Sequence, residues 1–147
     1  MHPKLNFPEY SFKIKSENST HQILDIVRKK YVVLSPEEWV RQHVIHYLIH
    51  EKKIPLGLMQ VETTVKYNRM NIRCDILAYT TKLNPFLLVE CKAPEIKITQ
   101  STFDQIARYN MPLKVKYLMV SNGFTHYYCL MNYENNSYSF INEMKYA

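Results

Sequence analysis

Residues 73–92, RCDILAYTTKLNPFLLVECK, decide how this chain is read. Two apolar runs, residues 76–79 and 86–89, flank a Thr/Asn/Pro segment and predict adjacent buried strands joined by a turn. Each run carries an acid where an apolar residue is expected: Asp75 in the first, Glu90 in the second. Lys92 follows Glu90 by two positions, so in a strand the two side chains share a face and Cys91 points away. Three charges gathered on one sheet face would be costly without compensation. A divalent cation is the simplest compensation. Two carboxylates, the backbone carbonyl region at Glu90 and Cys91, and water suit Mg²⁺ or Mn²⁺, and a lysine can orient an attacking water.

Outward from this stretch, composition narrows the field. The chain has 147 residues, enough for one domain with a real core. With 46% hydrophobic and 22% charged residues it reads as a soluble globular fold. A net charge of +6 leans toward a polyanionic partner. Two glycines are too few for a phosphate-cradling loop, and neither a P-loop nor a dinucleotide fingerprint occurs. Cys74, Cys91 and Cys129 are odd in number and lack CxxC spacing, which predicts reduced, buried thiols in a cytoplasmic protein. No apolar run approaches the roughly 20 residues of a membrane span, and the first residues lack the apolar centre of a signal peptide.

On the N-terminal side, residues 1–9 read as an irregular arm, and residues 10–15 and 23–34 as the strands of a small hairpin. Ser35-Pro36-Glu37-Glu38 opens a helix: serine caps, proline suits the first turn, and Glu38 completes a capping box. Val40, Val44, Tyr47 and Leu48 continue it to about His50. Glu37 projects from the centre of that apolar face with Arg41 one turn later, and Glu38 lies at its edge. Either acid can join the site. His43, His46 and His50 lie off the stripe; a solvated face is their plain reading, a zinc site the rival one. Residues 58–67 form a further strand, interrupted by Glu62, for which an outward polar position is the ordinary explanation. On the C-terminal side, Ser101 to Asp104 resembles a cap for a helix that must stop near Asn110, before Pro112. Gln105 and Tyr109 share one face of it. Residues 115–120 predict another buried strand, and residues 124–131 and 138–141 a closing hairpin. The expected fold class is α/β: a mixed central sheet flanked by helices, in the order αβββαβ, with an N-terminal and a C-terminal β-hairpin.

An acid in one hairpin strand and Glu-x-Lys in the next resembles the PD-(D/E)xK nuclease superfamily. The nearer resemblance is to the N-terminal nuclease domain of type I restriction enzyme R subunits, in a stand-alone bacterial form. It is carried by SPEEWVRQ (residues 35–42), RCDILAY (73–79), LLVECKAPEIKIT (87–99), FDQIARYN (103–110) and VSNG (120–123). The resemblance implies a restriction-endonuclease-like core in residues 35–147, with residues 1–34 as an arm and hairpin. It implies Asp75 and Glu90 as metal ligands, Lys92 as the catalytic lysine, and Glu37 or Glu38 as the first-helix acid. Gln105 and Tyr109 match a Q-x-x-x-Y helix motif that positions DNA. Cys74 stands where the superfamily name has proline. Without a P-loop, the ATP-driven motor of an R subunit is not expected here.

The expected activity is therefore Mg²⁺- or Mn²⁺-dependent hydrolysis of DNA phosphodiesters in the cytoplasm. Arg73, Lys97, Arg108 and Lys114 would attract the polyanion in a salt-sensitive way. A separate motor or specificity subunit and a second copy of the chain are the candidate protein partners; no membrane is. The rival reading is a module that binds nucleic acid or a partner without cutting and keeps Asp75, Glu90 and Lys92 as an ion-pair cluster.

Overall fold

The computed structural model describes residues 2–146. Its centre is a six-stranded sheet in the order β4-β5-β6-β7-β8-β9. The strands are β4 (Met59–Tyr67), β5 (Met70–Tyr79), β6 (Pro85–Cys91), β7 (Tyr117–Ser121), β8 (His126–Asn132) and β9 (Ser137–Ile141). All neighbours are antiparallel except β6 and β7, which run parallel because helix α2 (Gln100–Asn110) carries the chain over the sheet between them. Helix α1 (Pro36–His50) precedes β4. The protein is thus mixed α/β, with two α-helices and a mixed sheet.

Each helix covers a different set of sheet residues. Val40, Val44, Ile45 and Leu48 of α1 are fully buried in a cluster with Ile76, Ala78, Leu87, Val89 and Met119. Phe103 and Ala107 of α2 pack in a second cluster with Ile72, Cys74, Leu77, Leu88 and Leu118. Burying a branched aliphatic side chain is worth about 1.5–3 kcal/mol, so these two layers hold the sheet between them. Along β5 the alternation slips. Ile72 and Cys74 face the α2 layer, yet Ile76 and Ala78 face the α1 layer, so the change of phase falls at Asp75.

Ser35 caps α1, its Oγ accepting the Glu38 amide at 3.1 Å, with Pro36 in the first turn. The expected capping box is only half made, because the Glu38 side chain turns to arginines instead of back to the cap. Helix α2 starts earlier than its sequence signal: Thr99, not Ser101, is the cap, and its Oγ1 accepts the Thr102 amide at 3.2 Å.

Two N-terminal expectations need correction. The expected hairpin is a three-stranded antiparallel meander, β1 (Ile14–Glu17), β2 (Thr20–Asp25) and β3 (Lys30–Val33), because residues 26–29 turn the chain a second time. Tyr10 and Phe12 precede β1 and lie on α1. Their rings, with Trp39, come within 4.4–5.5 Å of the rings of His43 and His46. Those histidines are therefore buried under the arm, not solvated. The arm is held by Trp39 Nε1 donating to the Pro3 carbonyl at 2.7 Å and Asn6 N donating to the Gly123 carbonyl at 2.8 Å. Leu5 fills the space over Gly123, where any Cβ would meet Leu5 Cδ2 at 2.7 Å. All three cysteines are free and buried. Among the described residues no helix is long and apolar enough to cross a membrane.

Candidate active site

Asp75 and Glu90 are brought together by the β5–β6 ladder. Ile76 pairs with Val89, so Asp75 and Glu90 come next, side by side on adjacent strands. The Cys91 amide donates to Asp75 Oδ2 at 2.8 Å, which fixes that carboxylate against β6. Burial, then the Asp75 charge and a hydrogen bond shared with Asp75, push the Glu90 carboxyl up to about 8.

Lys92 follows on the same face, and Cys91 points the other way, into the α1 layer. Asp75, Glu90, Lys92 and Arg73 line a cleft of about 400 Å³, and Gln105 and Tyr109 of α2 form its opposite wall. Phe103 and Ala107 anchor α2 to the sheet, leaving the face of Gln105 and Tyr109 turned to the cleft. Tyr109 Oη donates to the Asn71 carbonyl at 3.1 Å, tying the helix to β5 above the acids.

A second group of charges closes the cleft from the α1 side. Arg41 is buried and touches four carboxylates. Its Nη2 lies 2.9 Å from Glu37, 2.8 Å from Glu62 and 3.3 Å from Asp75, and its Nη1 lies 2.7 Å from Glu38. Behind it, Arg28 bridges Glu38 at 2.9 Å and Asp25 at 2.7 Å, and Gln42 donates to both acids. Both Glu38 oxygens are thus taken up by Arg28, Arg41 and Gln42. Glu37 is half exposed and faces Asp75; burial and that neighbouring charge raise its pKa. The structure therefore puts Glu37 beside Asp75, behind the residues that line the cleft, and Glu38 in the supporting network.

Glu62 is the member that sequence reading missed. It faces Arg41 and Arg73, the latter at 2.7 Å, instead of pointing outward alone. Its backbone explains this. In the β4–β5 ladder Val61 pairs with Ile76 and Thr63 with Cys74, but Glu62 and Asp75 between them are unpaired. Glu62 has φ 52, a left-handed conformation rare for a residue with a long side chain in a strand. The break swings the carboxylate toward Asp75. Burial works to raise the Glu62 pKa, but the Arg73 hydrogen bond and the Arg41 charge outweigh it and lower it. One oxygen each of Glu37, Glu62 and Asp75 lies within 4.8 Å of the others. The sequence signal was present, an acid in the middle of strand QVETTV, but not its direction.

The basic residues divide. Arg73 lines the cleft. Arg108 does not: it shares the face of Asp104, four residues earlier, and lines a separate groove with Asn136 and Tyr138. Lys97 and Lys114 are exposed outside the cleft.

A family profile described as type I restriction enzyme R protein N terminus (HSDR_N) matches residues 36–144, which include α1, all of the large sheet and α2. The chain belongs to this family. Members of the HSDR_N family are thereby the frame for the cleft. A solved fragment described as an HsdR subunit of a type I restriction enzyme, from Vibrio vulnificus YJ016, is similar at 19% identity and a TM-score of 0.52. The match covers 77% of this chain and 24% of that one, and at this identity it is a likeness of fold. No curated protein matches the chain.

Proposed function

We propose that this HSDR_N-family chain is a metal-dependent nuclease that hydrolyses DNA phosphodiesters in the cytoplasm. The supporting observation is the side-by-side placement of Asp75 and Glu90, set with Lys92 in a cleft walled by Gln105 and Tyr109. The order α1, β4, β5, β6, α2, β7 is then the αβββαβ core of restriction-endonuclease-like enzymes, in residues 35–147, with residues 1–34 as an appended arm and meander.

The donor set fits a hard divalent ion. Asp75 and Glu90 offer carboxylate oxygens with spare lone pairs, the donor type that Mg²⁺ or Mn²⁺ takes. The bound ion supplies Lewis-acid polarisation of the phosphodiester and a more acidic water. Lys92 orients that water and offsets charge that builds on the phosphate. Gln105 and Tyr109 hold the nucleic-acid backbone against the sheet, and Arg73 adds attraction at the rim. Glu37 acts at the cleft from the first helix. Glu38 supports it through Arg41, and Arg108 meets nucleic acid beyond the cleft. A separate motor or specificity subunit and a second copy of this chain are the proposed protein partners.

The test is plasmid cleavage in Mg²⁺ or Mn²⁺ by wild type and Lys92→Ala. Metal-dependent cleavage that falls about 100-fold or more in the variant supports the reading. Equal cleavage by the two rejects the role of Lys92. DNA binding in EDTA with no cleavage in any divalent metal would replace the nuclease with a binding module.

A further inference from the structure

The geometry points to Arg41 as a built-in cation that fills the position of a second metal, so that the site takes a single divalent ion at Asp75 and Glu90. This rests on the metal-dependent reading above. Nucleases that use two ions hold them about 3.5–4 Å apart and bridge them with shared carboxylates. Here the acids beside the Asp75–Glu90 pair are Glu37 and Glu62, and their oxygens converge with Asp75 within 4.8 Å. That convergence point is already taken. Arg41 Nη2 sits 2.8 Å from Glu62, 2.9 Å from Glu37 and 3.3 Å from Asp75.

The guanidinium is also locked in place. Nη1 is paired to Glu38 at 2.7 Å, and Glu38 is itself held by Arg28 and Gln42. The Arg41 side chain is only 5% exposed, and its buried Nε finds no acceptor. An entering ion would have to push a buried charge into surroundings that already leave one of its donors unsatisfied, which is strongly unfavourable. Charge balance agrees. The carboxylates of Asp25, Glu37, Glu38, Glu62, Asp75 and Glu90 face four fixed cations, Arg28, Arg41, Arg73 and Lys92. With Glu90 deprotonated the deficit is two charges, which one divalent ion supplies and a second would overshoot. Arg41 is thereby a positioning residue that holds Asp75 through Oδ1 at 3.3 Å.

The test is Mn²⁺ binding to the full chain, followed by calorimetry and by the electron paramagnetic resonance of free Mn²⁺. Wild type binds one ion per chain, and Arg41→Gln, which vacates the convergence point, binds two. Two ions on wild type, or one ion on a folded Arg41→Gln, overturns the inference. No ion on wild type sinks the metal-dependent reading and this inference with it, a result distinct from two. Should Arg41→Gln not fold, Glu37→Gln decides, since Glu37 is half exposed. A Kd for Mn²⁺ within about twofold of wild type agrees with Glu37 serving Arg41, and binding weakened by about tenfold or more puts Glu37 on the metal and overturns the inference.

Discussion

Glu37 and Glu38 are consecutive residues that hold opposite nitrogens of one guanidinium: Glu37 Oε1 lies 2.9 Å from Arg41 Nη2 and Glu38 Oε1 2.7 Å from Nη1. Successive helix residues diverge by about 100°, so one acid turns to the cleft and the other to the interior. The Glu37 side chain is 47% exposed and that of Glu38 only 7%. Removing Glu38 takes a buried carboxylate from Arg28, Arg41 and Gln42 at once, and Glu38→Ala should cost about 3–5 kcal/mol. Glu37→Ala should cost less than about 1 kcal/mol. Urea unfolding of the two variants measures the contrast; similar losses would show that Glu38 is no keystone.

Glu90 makes stability fall as pH rises. Its folded carboxyl is pushed up to about 8, above the ordinary glutamate value near 4.3. Between those values the folded chain holds a proton that the unfolded chain has released, so each step up in pH favours unfolding. Above about pH 6.5, where His43 and His46 no longer titrate, thermal melts in EDTA should drop toward pH 8 and then level off. Mn²⁺ must expel the same proton, so its affinity should climb over that window. Glu90→Gln should flatten the fall over this window, and a fall that persists there in the variant assigns the effect elsewhere.

Glu62 joins a strained backbone to a needed charge. Valine there would place a β-branched side chain at φ 52 and also empty one side of Arg41 and Arg73. Asparagine tolerates the left-handed region, so Glu62→Asn loses only the charge. The valine variant should melt below the asparagine variant by an amount equivalent to about 1–3 kcal/mol. Equal melting temperatures would mean that the β4 irregularity relaxes at no cost.

The arm reports its own docking. Trp39, the only tryptophan, donates its indole N–H to the Pro3 carbonyl. Gly123 has φ 91 and Leu5 packed over it, so Gly123→Ala should destabilise by about 1–3 kcal/mol and red-shift Trp39 fluorescence as the arm lifts. Acid should act in the same direction. Burial lowers the pKa of His43 and His46 below the ordinary value, so the stability they leave intact at neutral pH is lost as pH falls below about 6.5. An emission maximum that stays put in both experiments would mean that the arm is not anchored through Leu5 and the histidines.

Much of the sheet and both helices could be read before any coordinates, because caps and apolar runs are local signals. Ser35-Pro36 and the 76–79 and 86–89 runs each state their own structure. So does the two-residue step from Glu90 to Lys92. The rest depends on partners distant in sequence. Nothing near Glu38 announces that Arg28 will meet it across ten residues. His43 and His46 looked solvated because the rings that bury them, Tyr10 and Phe12, read as part of a hairpin strand, and nothing local ties that segment to α1. Glu62 was read as outward-facing because a left-handed glutamate leaves no mark in composition, and Arg108 was read as near the site because nearness in sequence stood in for helix phase.

The single parallel join, β6 to β7, orders how this cleft comes into being during folding. Closing the β5–β6 hairpin is a local, rapid event, and it alone sets Asp75 beside Glu90. The β6–β7 pairing spans residues 92–116 and must wait for α2 to settle on the sheet. A chain caught between these steps has its two acids side by side but lacks the opposite wall of Gln105 and Tyr109, so the cleft is complete only once α2 has docked.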